Sequence, residues 1–151
     1  MLDQQLDVAD HIRGKQVPTK TAVATLRKRL LHKNPNVQLL TLSLLDICVK
    51  NSGQHFNAEL AHPDAMRDLQ SVLNNPAVTL EVRNKTLELI QFCGVAFQGK
   101  PELQAAVRLY EDLRVAGVQF PDARGVKGAT AMIEASAVRH LKLSIAYLFC
   151  I

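Results

Sequence analysis

Residues 34–53 read NPNVQLLTLSLLDICVKNSG, and the reading of this stretch decides the fold. Asn34 is a helix-capping residue type, Pro35 suits the first helical position, and Gly53 is placed to stop the helix. Wound at about 100° per residue, Val37, Leu40, Thr41, Leu44, Leu45, Ile47 and Cys48 fall on one broad arc. Leu39, Ser43, Asp46 and Lys50 gather on the opposite strip, within roughly 60° of one another. An arc that wide packs against neighbours on both sides and leaves one narrow strip exposed. The stretch therefore predicts the central helix of an all-helical domain.

On either side the same period of three and four recurs. Leu2 to Arg13 reads as a short helix with Val8, Ala9 and Ile12 inward, Asp3, Asp7 and Asp10 opposite, and Leu2 and Leu6 at the apolar margin. Gly14 ends it and Val17-Pro18 makes the connection. Thr19 to Lys33 follows, with Ala22, Val23, Leu26 and Leu30 at helical spacing and Arg27, Lys28, Arg29, His32 and Lys33 on or beyond its outer side. Such a basic run is ordinarily a solvated face; as a site it would take an acidic partner or a phosphoinositide-bearing membrane surface.

After the central helix, Gln54 to Ala61 gives one or two turns, and His62-Pro63-Asp64 starts a helix through Met66, Leu69, Val72 and Leu73. Asn74-Asn75-Pro76 breaks it. Thr79 to Gln98 repeats Val82, Thr86, Leu89, Ile90, Cys93 and Phe97, and Pro101 opens a last helix with Leu103, Val107, Tyr110 and Leu113, stopped by Gly117. No segment of this part alternates with period two, so no sheet is expected. From Asp122 the chain reads as a Gly- and Ala-rich linker ending in an apolar run of 11 residues, LKLSIAYLFCI, too short to span a membrane. In it Leu141, Leu143, Ile145, Tyr147 and Phe149 alternate like a strand without a partner.

Composition narrows the classes. A chain of 151 residues with 48% hydrophobic residues and no Trp supports one domain with a core of Leu, Val, Ala and Ile. Of the net charge of +4, residues 1–122 hold +1 and residues 123–151 hold +3, so the helical part is a poor nucleic-acid binder. Cys48, Cys93 and Cys150 form no CxxC pair, which favours a reducing, cytosolic compartment over a disulfide framework or a zinc site. The start, MLDQQLDVAD, has no signal-peptide pattern. No GxSxG, P-loop, HExxH or GxGxxG occurs, and His11, His32, His55, His62 and His140 are dispersed, so neither an enzyme nor a metal or cofactor site is expected. What remains is recognition.

NPNVQLLTLSLLDICVKNSGQHF, EVRNKTLELIQFCGVAFQGKPEL and VRLYEDLRVAGVQFP resemble successive blocks of a VHS domain of the Hrs/STAM group, and LDVADHIRGK fits the helix before them. The resemblance covers residues 1–121, with 122–151 as linker and atypical tail; the family's first helix would precede Met1. It implies an all-α, right-handed superhelix of about seven helices, VHS/ENTH-like. It further implies a cytoplasmic module, peripheral on endosome membranes, that recognises ubiquitin or ubiquitinated cargo, with other ESCRT subunits and an acidic membrane surface as further partners. Carried over by position, the ubiquitin contacts are Leu2 and Leu6 from one helix and Leu39, Ser43, Asp46 and Lys50 from the central one; Leu2 stands where some members have Trp. Arg27, Lys28, Arg29 and Lys33 are the candidate membrane contacts. Two other readings stand beside this one. In the first, a GGA- or TOM-type adaptor binds acidic-dileucine peptides near Thr79 and along Pro101–Ala116. In the second, a phosphoinositide-binding helical module uses the basic run.

Overall fold

The computed structural model describes residues 2–121, with the side chain of Leu2 left out. Seven α-helices follow one another among the described residues: α1 (Leu2–Arg13), α2 (Thr19–Leu30), α3 (Pro35–Asn51), α4 (Gln54–Leu60), α5 (Pro63–Asn74), α6 (Leu80–Ala96) and α7 (Gln104–Val115). A 3-10 turn, Pro101–Leu103, precedes α7, and the described residues contain no strand. The linker and alternating tail expected over 122–151 lie outside the described residues.

The helix starts follow from side chains that satisfy free backbone N–H groups. The Asn34 Oδ1 accepts from the Asn36 N–H at 2.9 Å, and Pro35 occupies the first position of α3. Thr79 caps α6 through its Oγ1, which accepts from the Val82 N–H at 3.3 Å. His62, one of the dispersed histidines, caps α5 by accepting at Nδ1 from the Asp64 N–H. Helix α1 stops at Arg13, directly before Gly14 as expected, and Lys15 (φ 58°) takes the left-handed conformation in the turn. Two other expectations shift. Helix α2 stops at Leu30, so His32 and Lys33 sit in the following turn, where His32 Nδ1 accepts from the Asn34 N–H. The last helix is split, because Pro101–Leu103 closes as a tighter turn before α7 begins.

Helix α3 packs against α1, α2 and α6, and α6 packs against α3, α5 and α7. With neighbours on three sides, the buried arc of α3 is rotated from the one expected. Gln38, Leu42 and Val49 are buried together with Thr41, Leu44, Leu45 and Cys48, while Val37, Leu40 and Ile47 are only half-buried. The Gln38 amide is satisfied by donating to the Leu30 carbonyl at 3.0 Å, which ties α3 to the end of α2. On α6 the expected residues Val82, Thr86, Leu89, Ile90, Cys93 and Phe97 are all buried, and Gly94 joins them. A methyl group at Gly94 would collide with the Cβ and ring of Tyr110, so the missing side chain is what lets α7 approach α6.

Candidate functional site

Three surfaces hold the residues singled out from sequence. The first is the outer face of α3. Leu39, Ser43, Asp46 and Lys50 do share one strip, but it is less open than expected: Leu39, Ser43 and Asp46 are half-buried, and Lys50 alone is exposed. Leu39 packs against the core, as does Ile47 on the far side of Ser43. Half-buried Leu40 completes an apolar surround to Ser43. The strip's polar end is tied down. Lys50 Nζ lies 2.7 Å from Asp46 Oδ2 and 5.0 Å from the centroid of the Phe92 ring of α6. Phe92 was not among the expected site residues; its half-buried position depends on where α6 lies, which no local pattern encodes.

Beside α3 lies α1, whose buried face consists of Gln5, Ala9 and Ile12. Leu6 is half-buried on one shoulder of that face and Val8 on the other. Nothing is described of the Leu2 side chain. Gln5 is a buried polar residue that periodicity missed, and its Nε2 finds no partner among the described residues.

The second surface is the basic run. It is divided, because Arg27 is not an outer-face residue. Its Nε donates to Asp68 Oδ2 of α5 at 2.5 Å, and both side chains are partly buried. Arg29 is half-buried, while Lys28 and Lys33 are exposed.

The third is a groove of about 540 Å³ bounded by α4, α5, the 3-10 turn and α7. Met66 and Leu109 line it together with Arg67, Arg108, Glu102 and Asp112. Arg67 hydrogen-bonds to Asp64 and holds that carboxyl below its ordinary value. Glu102 is held low by its own backbone N–H and by the Gln54 amide, 2.9 Å away. The groove lies between α5 and α7, not beside Thr79, which caps α6.

Buried in this scaffold, the Cys48 and Cys93 thiols are free. Burial pushes Cys48 up to about 11 and Cys93 up to about 12; the Asp46 carboxylate raises Cys93 further, against the Lys50 ammonium. Among the described residues no group of three or more His, Cys, Asp or Glu is placed to hold a metal ion. No described helix is long and apolar enough to cross a membrane.

Comparison with known proteins gives the class of this helical stack. The VHS domain family model matches residues 2–117. The chain belongs to the VHS domain family. It is 42% identical over 118 residues to vacuolar protein sorting-associated protein 27 of Yarrowia lipolytica, covering 78% of this chain and 21% of that protein. The protein of the same name from Neurospora crassa is 44% identical over 135 residues, covering 87% and 18%. Target of Myb1 membrane trafficking protein of Mus musculus is 35% identical over 121 residues, covering 77% and 24%. The crystal structure of the VHS and FYVE tandem domains of Hrs, a protein involved in membrane trafficking and signal transduction, matches with a TM-score of 0.72 at 29% identity. That match covers 80% of this chain and 55% of the other. The chain thus spans about a fifth of the length of the curated relatives it matches.

Proposed function

We propose that this domain is a ubiquitin-binding cargo-recognition module of an endosomal sorting protein in the multivesicular body pathway. The reading rests on family membership, on relatives named for vacuolar protein sorting, and on one surface. That surface is the half-open apolar ground of Leu39, Leu40 and Ile47 around Ser43 on α3, with Leu6 on the neighbouring α1. A small residue ringed by apolar ones suits an apolar patch on a globular partner, because Ser43 admits close approach while its neighbours supply the area. Asp46 and Lys50 neutralise each other and form the polar edge of the contact, not its anchor. In the same reading the domain works at the cytoplasmic side of the endosome, in company with other ESCRT subunits.

A small contact without an aromatic anchor binds weakly, with a Kd of roughly 0.1–1 mM. Titrating isotope-labelled chain with ubiquitin and following amide shifts tests this. Shifts clustered on Leu6 and on Leu39 to Lys50, lost in Leu6→Ala and in Ser43→Asp, are the expected result. Shifts confined to α5 and α7 would move the site to the groove.

The groove favours a second reading, in which an extended acidic sorting peptide lays apolar side chains on Met66 and Leu109 while Arg67 and Arg108 meet its carboxylates. An acidic-dileucine peptide that perturbs these residues and leaves α3 untouched would support it.

A further inference from the structure

Helix α6 changes character in its last turn. Its exposed positions are Leu80, Glu81, Asn84 and Glu88, then Val95 and Ala96. After Leu80 they are polar as far as Glu88 and apolar beyond it. Val95 is 58% exposed. Half-buried Phe92 lies three and four residues before Val95 and Ala96, so the three share one side of the helix. That side is not the one α7 covers. Gly94, which meets Tyr110, is two residues from Phe92 and so about 160° around the helix from it. The Phe92 side faces α3 instead. Lys50 Nζ stands 5.0 Å from the ring centroid while hydrogen-bonded to Asp46 Oδ2, and the Asp46 and Lys50 charges both reach Cys93.

Packing accounts for the inner edge of Phe92, which rests on the core. The ammonium of Lys50 accounts for one face of the ring. Neither involves Val95 or Ala96. A single exposed valine is ordinary on a protein surface. An exposed valine beside a half-open aromatic ring is a patch, and this one adjoins the polar end of the α3 strip. Ser43 is seven residues from Lys50, about 10 Å along α3, so a partner that covers Ser43 and Asp46 meets the ring under Lys50 within two helical turns. Even a weak contact buries up to roughly 600 Å² on each partner. The half-buried side chains around Ser43 offer only part of their area, so the footprint has to spread onto a neighbouring helix.

We propose that Phe92, Val95 and Ala96 of α6 belong to the surface that binds ubiquitin, as a second apolar point across Lys50 from Ser43 that fixes the orientation of the bound partner. The inference rests on the reading of α3 given above. The Phe92 ring does not protrude; half-buried beneath Lys50, it adds area at the rim of the contact and leaves the affinity weak. Asp46 keeps the Lys50 ammonium paired when the partner closes over it, so no lone charge is buried.

The test is a titration of the isotope-labelled full chain with ubiquitin, read at α6 as well as at α3. The Phe92, Val95 and Ala96 amides should shift together with that of Ser43, and intermolecular NOEs should connect ubiquitin protons to the Val95 methyl groups. Val95→Asp puts a charge at an exposed position and should raise Kd about three- to tenfold with the urea midpoint unchanged. Phe92→Leu keeps an apolar side chain against the core and should raise Kd about threefold through the lost ring.

Binding at α1 and α3 that Ser43→Asp abolishes, with the α6 amides unmoved and both α6 variants at unaltered Kd, would overturn this inference and leave the proposed function standing. No shift anywhere at millimolar ubiquitin would overturn both. Shifts at Val95 that follow the concentration of the chain in the absence of ubiquitin would give the patch to a second copy of this chain, and the inference would fail in that case too.

Discussion

Helices α3 and α6 resemble each other closely, yet only one of them keeps an open face. Each is 17 residues long. Each buries a threonine whose Oγ1 donates to the carbonyl four residues back at 2.7 Å, Thr41 to Val37 and Thr86 to Val82. Each buries a free cysteine seven residues further on, Cys48 and Cys93. The difference lies on their flanks. Helix α6 is covered by α7, which comes so near that position 94 admits nothing larger than glycine. Helix α3 has no such cover over Leu39, Leu40, Ser43 and Ile47, which stay half-exposed. The inner faces of the pair are interchangeable in kind; an interlocked flank stabilises the stack and an unlocked one remains for a partner.

The interlock should give the largest effect. Gly94→Val places a branched side chain against the near end of Tyr110, which cannot swing away without moving the helix, and should cost about 3 kcal/mol or more. Gly94→Ala should cost less, about 1–2 kcal/mol, because better helix propensity offsets part of the overpacking. Urea unfolding measures both. In a Tyr110→Ala background the cost of Gly94→Ala should shrink markedly; an equal cost in both backgrounds would mean that α6 and α7 are not interlocked at this point.

The paired thiols come next. Their ordinary value is 9.0, and the folded values are about 11 for Cys48 and about 12 for Cys93. A pKa raised on folding leaves stability untouched below pH 9, where each thiol is protonated in both states. Above it the unfolded chain releases protons that the fold retains, so stability falls as pH rises through the window up to 11 and 12. At about pH 10 the loss should be about 1 kcal/mol per thiol. Comparing the slope of stability against pH with that of Cys48→Ala/Cys93→Ala isolates it, and identical slopes from about pH 8 to 10 would contradict the burial of both groups.

Helix existence and the inner faces were legible in the sequence because caps and apolar spacing are local. Asn34-Pro35, His62-Pro63 and Thr79 each mark a helix start with a side chain only two or three residues from the N–H it serves. What was not legible depends on contacts between distant segments. The Arg27–Asp68 pair joins residues 41 apart and removes an arginine from a run that looked uniformly exposed. The rotation of the α3 arc toward Leu42 and Val49 follows from three neighbouring helices, and the groove lined by Met66 and Leu109 exists only once α5 and α7 face each other. The split of the last helix at Pro101 was a local matter missed, since a proline can open either an α-helix or a tighter turn.

If the inner faces are equivalent, Thr41→Val and Thr86→Val should cost the same, about 1 kcal/mol each, for one lost hydroxyl-to-carbonyl bond in a buried setting. Both side chains are fully buried. A difference greater than about 1 kcal/mol between them, read from denaturation midpoints at equal slope, would break the likeness of the two helices at its root.

The smallest expected change in stability belongs to the open flank, and it is the most informative about function. Leu40 and Leu44 lie one turn apart on α3, but Leu44 is 1% exposed whereas Leu40 is half-buried. Leu44→Ser should cost several kcal/mol, because it strands a hydroxyl in the core and opens a cavity. Leu40→Ser should cost under about 1 kcal/mol, because water already reaches that side chain and the new hydroxyl finds it there. If α3 keeps this flank open for a partner, Leu40→Ser should nevertheless weaken the ubiquitin-induced shifts as much as Ser43→Asp does. Full stability with lost binding would locate the contact on the outer face of α3. Full stability with unchanged binding would leave α3 exposed without a partner there and return the question to the groove. A loss of stability as large as that of Leu44→Ser would mean that the flank is not open, and the contrast between α3 and α6 would fail.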